Sequence, residues 1–192
     1  MRKTFLFIQV FLLMINCIGC SAVPSAENVH KRIHEKYYNI ESYTAKCTVT
    51  AFTKGGQNDY DCEVCYDSKN DTYTVTTDDM KIEISHDVTT IQRGDSSLNA
   101  PSSDDDMSIF INTFFKSYYE SENTSMTVSS LQSETTLLEC DVLNPTENTA
   151  KMKLWVLNEN VLPVRMQVLG SDDFLHTEIN FIEFNGYKIQ NM

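Results

Sequence analysis

Four groups of side chains have types and spacings that could do chemistry. His30 and His34 stand four apart, which on a helix puts two imidazoles within reach of one metal ion. No glutamate follows His30, so this is not the H-E-x-x-H pair of a zinc protease. Two solvated histidines on a basic helix face is the plainer reading. Cys62 and Cys65 have the C-x-x-C spacing of redox and zinc sites. Their neighbours alternate apolar and polar, and on a strand residues three apart point to opposite faces. The two sulfurs are therefore not brought together. Asp104, Asp105 and Asp106 suggest calcium, but no D-x-D-x-D-G loop follows. Capping of a helix accounts for them better. The 27 carboxylates form no particular pair for acid–base work.

Cys20 is the fourth candidate. Arg2 and Lys3 form a short positive start, and Phe5 to Ile18 is apolar except at Gln9 and Asn16. That run is short for a membrane span and suits the core of a signal peptide. It ends in Cys17-Ile18-Gly19-Cys20-Ser21, which resembles the bacterial lipobox, with Cys17 in the place that usually holds Leu. The resemblance implies cleavage after Gly19 and lipidation of the Cys20 thiol. Residues 1–19 are then a lipoprotein signal peptide, 20–25 a lipidated tether and 26–192 a single domain. Cleavage near Ala22 or Pro24 by an ordinary secretory route is the alternative.

Without Arg2 and Lys3 the formal charge deepens from −12 to −14. No Lys/Arg cluster follows residue 32, so nucleic acid is an unsuitable partner. Anionic headgroups would repel the domain, which leaves the acyl chains to hold it at a membrane. A basic protein partner suits the charge. Cys47, Cys62, Cys65 and Cys140 remain after processing, enough for two disulfides in an oxidising compartment. The strand pattern places Cys47, Cys62 and Cys140 in the core and leaves Cys65 exposed. A Cys47–Cys62 bridge between neighbouring strands is one option. The glycines after residue 19 stand at 55, 56, 94, 170 and 186 and build no phosphate-binding loop. No G-x-S-x-G elbow occurs, and the histidines at 30, 34, 86 and 176 have no triad context. Asn70-Asp71-Thr72 and Asn123-Thr124-Ser125 match a glycosylation acceptor by chance. No catalytic residue, metal or cofactor is expected.

These residues must be carried by an α+β domain. Ser25 can cap a helix from Ala26 to about Asn39, with Val29, Ile33, Tyr37 and Ile40 as its apolar stripe. Period-two strands follow, with Tyr43, Ala45, Cys47, Val49 and Ala51 on one face, then Tyr60, Cys62, Val64 and Tyr66. Thr72–Thr77, Met80–Ser85 and Asp87–Arg93 read as strands, the last with Val88 and Ile91 as its apolar positions. Gly94–Asp106 reads as a polar loop. A second helix then carries Met107, Phe110, Ile111, Phe114, Phe115 and Tyr118 on one stripe. Glu120–Ser125 is a linker. From Met126 the chain is strand and turn, including the hairpin Lys151–Leu157 and Val164–Leu169 and the strand Phe174–Phe184.

This order resembles the LolA/LolB-like fold of bacterial lipoprotein carriers. Its carriers here are the first helix running into Ser42-Tyr43-Thr44-Ala45-Lys46, the hairpin Lys153–Pro163, and the closing Ile179-Asn180-Phe181-Ile182-Glu183-Phe184-Asn185. The resemblance implies a strongly curved antiparallel sheet, an incomplete barrel, with helices over its concave face. Within that superfamily the lipobox, the small acidic domain and the Asn-, Ser- and Thr-rich composition are most similar to the germination lipoproteins (GerS type) of clostridial spore-formers. That likeness implies a membrane-anchored, non-catalytic protein of the spore envelope. Its partner would be an N-acetylmuramoyl-L-alanine amidase, activated for spore cortex modification ahead of germination. Free sheet edges would allow a homodimer by strand pairing. A carrier or sensor of acylated ligands is the alternative, with Met107, Phe110, Ile111, Phe114 and Tyr118 as the lid of an apolar cavity.

Overall fold

The computed structural model describes residues 25–85, 87–128 and 134–189. Helix α1 (Ala26–Tyr37) starts where Ser25 accepts a hydrogen bond from the Asn28 backbone N–H at 3.2 Å. It buries Val29, Ile33 and Tyr37, the stripe expected from their spacing. Six strands follow as a meander: β1 (Ser42–Thr53), β2 (Gly56–Asp67), β3 (Thr72–Thr76), β4 (Lys81–Ser85), β5 (Val88–Arg93) and β6 (Ser96–Pro101). A 3-10 turn (Asp104–Met107) leads to helix α2 (Ile111–Glu120). The chain closes with β7 (Thr124–Val128), β8 (Thr135–Asp141), β9 (Lys151–Leu157), β10 (Pro163–Leu169), β11 (Leu175–Phe184) and the short β12 (Tyr187–Lys188).

The strands form one curved antiparallel sheet in the order β6-β5-β4-β3-β2-β1-β11-β10-β9-β8-β7, with β12 paired to β11. Strands β6 and β7 stand at opposite ends of that order, so the sheet is open. The two meanders meet at one seam, β1 against β11, with Ala45 opposite Phe184 and Val49 opposite Ile179. A bulge follows Lys46, where Lys46 faces Glu183 and Cys47 faces Phe181. Ile182 is the residue left over, and it is largely exposed.

Register aligns side chains into rows across the sheet. One row runs Ala45, Val64, Val75, Ile82, Ile91, Leu98, and the next runs Tyr43, Tyr66, Tyr73, Ile84, Thr89, Ala100. Both helices pack on this face: the rings of Tyr37 and Phe115 stack at 4.3 Å, and Tyr37 and Tyr43 both contact Phe184. The cover is uneven. Ala45 and Val64 are 2% exposed, whereas Leu98 at the end of the same row is 63% exposed.

Several expectations are corrected. Gly94–Asp106 is not all loop: Gly94, at φ +57°, turns β5 back into β6. Ser96-Ser97-Leu98-Asn99-Ala100-Pro101 hides its strand character because an edge strand needs few apolar side chains and tolerates Pro. Glu120–Ser125 is likewise not all linker, since β7 begins at Thr124. On β5 the buried residue is Thr89, while Val88 is exposed. On β1 the apolar face fades, with Val49 and Ala51 only half-buried. The second helix does not run unbroken from the aspartates. Ser103 and Asp106 form a capping box around the 3-10 turn, and Phe110 is extended before α2 begins.

Candidate functional site

Cys20 and the rest of residues 1–24 lie outside the described residues, as does His86. The candidate lid residues are all described, but on two elements. Met107 closes the 3-10 turn and is half-buried. Phe110 precedes α2, and Ile111, Phe114 and Tyr118 lie on it. Phe110, Ile111 and Phe114 have no exposed surface and belong to the same core cluster as the sheet rows. Phe110 meets the Tyr73 ring edge-on at 4.9 Å, and Phe114 stacks on Tyr118 at 5.9 Å.

Sheet and loop side chains fix the helices. The Tyr43 hydroxyl accepts a hydrogen bond from the Ile111 N–H at 2.9 Å, supplying the cap that Phe110 lacks. Burial pushes the Tyr43 phenol well above its ordinary range. On α1, Arg32 donates to the carbonyls of Asn158 and Glu159, Lys36 to Asn160 at 3.2 Å, and the Tyr37 hydroxyl to Val161 at 2.6 Å. The loop between β9 and β10 therefore grips α1. This changes the reading of that face as merely solvated: two of its cations hold the fold together. Burial, with Arg32 nearby, brings the Lys36 ammonium down to about 8.

The other candidates are dispersed. His34 stacks on Tyr38 at 4.4 Å and meets the edge of Tyr119, and His176 packs edge-on against Phe174. Among the described residues no three His, Cys, Asp or Glu side chains are grouped to hold a metal. Cys47, Cys62 and Cys140 are buried, as their positions on the strands require. Cys65 is half-buried instead of exposed, on the opposite face from Cys62. Cys47 and Cys62 are free thiols directly across the β1–β2 ladder, with sulfurs 3.6 Å apart. The hydrogen bond to Cys62, with burial, pushes the Cys47 thiol up. Burial and then Asp141 push Cys140 up to about 12. Asp105 accepts from the Thr146 hydroxyl at 2.6 Å, and Asp106 completes the capping box, so both serve structure.

The described surface also contains a cleft of about 510 Å³ between the end of α1, strands β2 and β3, and α2. Its aromatic walls are Tyr37, Tyr38, Tyr66, Tyr73, Phe115 and Tyr119, and Asn39, Asn112, Lys116 and Glu120 are its polar lining. The Asn112 amide N–H donates to the Tyr73 hydroxyl at 3.0 Å. Asn112 Oδ1 and the Tyr119 hydroxyl oxygen are shielded and lack a hydrogen-bond partner among the described residues. Burial raises the Tyr119 phenol. The signal for this cleft was the two Tyr-Tyr pairs, 37–38 and 118–119. On a helix adjacent residues point about 100° apart. Tyr37 and Tyr118 therefore enter the core, Tyr38 reaches the rim, and Tyr119 lines the wall of the cleft.

No curated protein matches the sequence. Three solved structures are similar in shape. A chain of the Clostridioides difficile CwlD amidase in complex with the GerS lipoprotein is 18% identical, at 81% coverage of this chain and 92% of that one, with a TM-score of 0.45. A LolA superfamily protein from Nitrosomonas europaea is 11% identical, at 87% and 94% coverage, with a TM-score of 0.45. The Mycobacterium tuberculosis lipoprotein LppX is 12% identical, at 82% and 93% coverage, also with a TM-score of 0.45. Residues 1–191, nearly the whole chain, match the family described as sporulation protein YdcC-like, and the chain belongs to that family.

Proposed function

We propose that this protein is a non-catalytic lipoprotein of the spore envelope, anchored through Cys20. It binds and activates an N-acetylmuramoyl-L-alanine amidase for cortex modification, a step needed for germination. Membership of a sporulation family over residues 1–191 carries the reading. The likeness to germination lipoproteins, read from the sequence, supplies the partner. His34, Cys47, Cys62, Asp105 and Asp106 each have a structural partner, which supports a regulator over an enzyme. The packing of Phe110, Ile111 and Phe114 supports a regulator over a carrier. A lid would turn that stripe towards an empty cavity. In this reading the face under the helices is the concave one. The edge strands β6 and β7 are the surfaces where a partner strand, or a second copy, would pair.

The test is to mix the full-length protein with the cortex amidases of its own organism. Native mass spectrometry is expected to find a stoichiometric complex, and amidase turnover is expected to rise. Absence of a complex at micromolar concentration, with turnover unchanged, refutes the proposal. Cys20→Ala is expected to abolish acyl labelling and release the protein from the membrane fraction. Retention of the label would reject Cys20 as the anchor.

A further inference from the structure

The tyrosine cleft has the chemistry of a ligand site independent of any amidase. We propose that it binds an uncharged glycan segment. Its volume of about 510 Å³ falls within the usual range for small-ligand sites. Lys116 and Glu120 are the charged side chains in its lining and offset one another. A chain of charge −12 thus presents here a surface without a preferred ligand charge. Tyr38, stacked on His34 and 55% exposed, supplies a flat apolar ring at the rim. Pyranose rings carry C–H faces that stack on such rings.

The polar groups narrow the class further. Asn112 has already committed its N–H to Tyr73, so its Oδ1 needs a donor. The Tyr119 hydroxyl also lacks a partner. Buried polar atoms without partners are uncommon in folded proteins and costly to leave so. Sugar hydroxyls and acetamido groups donate and accept together, and so can satisfy both atoms. An acyl chain would leave both unsatisfied. Tyr38 packs edge-on against Tyr119 at 5.3 Å, so the stacking ring at the rim stands beside the side chain that carries the unpartnered hydroxyl.

Saturation-transfer NMR on the full-length protein with tri-N-acetylchitotriose tests this. Transfer to the sugar-ring protons is expected. Tyr38→Ala and Tyr119→Phe are each expected to weaken binding about tenfold, the usual effect of losing one hydrogen bond or stacking partner. Tyr119→Phe retains the ring and so keeps the core intact, and a melting curve on each variant checks this. Leu98→Lys, on the far edge strand, is expected to bind like the parent. No transfer at millimolar sugar, parental affinity in both cleft variants, or preference for a lysophospholipid probe over the trisaccharide overturns the proposal. Such a failure would leave the amidase reading standing, because complex formation is measured separately.

Discussion

Tyr43 concentrates several roles in one side chain. Its ring packs on Phe184 at the seam, and its hydroxyl caps α2 across the fold. Tyr43→Phe keeps the packing and orphans the Ile111 N–H. The expected cost is about 1–3 kcal/mol, read from urea unfolding. Lys36 gives a pH signature. Its folded pKa, about 8, lies below its ordinary 10.5, so between those values the unfolded chain holds a proton that the folded chain has released. Folding is therefore favoured as pH rises through that window. Raising the pH from 7 to 9.5 should increase the stability of the parent relative to Lys36→Met, as urea midpoints would show. The cysteines should alkylate in order of exposure. Cys65 is expected to react with iodoacetamide in the folded protein, and Cys47 and Cys140 only after unfolding, by mass spectrometry. Burial of Cys47, Cys62 and Cys140 was legible in the sequence because alternation assigns a face. Tyr43 as a cap was not, because its partner lies in an element 68 residues away.

At the scale of elements, periodicity located α1 and the long strands and failed where an element is short or lies at an edge. Strand β6 has one large apolar residue, Leu98, and too little pattern to detect. The break between the 3-10 turn and α2 was also hidden. The stripe from Met107 to Tyr118 continues through it, and only backbone conformation at Phe110 reveals it. The turn after β10 depends on a close approach rather than on conformational freedom. A Cβ on Gly170 would stand 2.5 Å from the Glu147 carbonyl oxygen and 2.8 Å from His176 Nε2. Gly170→Ala should therefore destabilise by about 1–3 kcal/mol, measurable as a lower urea midpoint at unchanged slope. Of the candidate cleft, Asn112 and Tyr119 lie one helix step off the apolar stripe. A stripe search passes over such positions.

At the scale of the whole molecule, α1 and α2 cover the middle of a long sheet, and neither covers Leu98 at its β6 end. The row that starts with buried Ala45 ends with Leu98 open to water on β6, an edge strand that carries no charged residue. Edges of this kind are usually guarded by charge. Leu98→Lys should leave unfolding stability within about 0.5 kcal/mol of the parent and raise the concentration at which the protein stays soluble. The seam between β1 and β11 has a consequence in time. Strand β1 emerges from the ribosome early, and β11 is among the last elements made. Until β11 docks, both strands lack a neighbour, and closing so long a loop makes this pairing slow. A chain that ends after Leu169 should therefore accumulate as aggregates rather than as a folded half, as size exclusion would reveal. Any route that carries this chain out of the cell must keep the β11-facing edge of β1 free until the last strands have crossed.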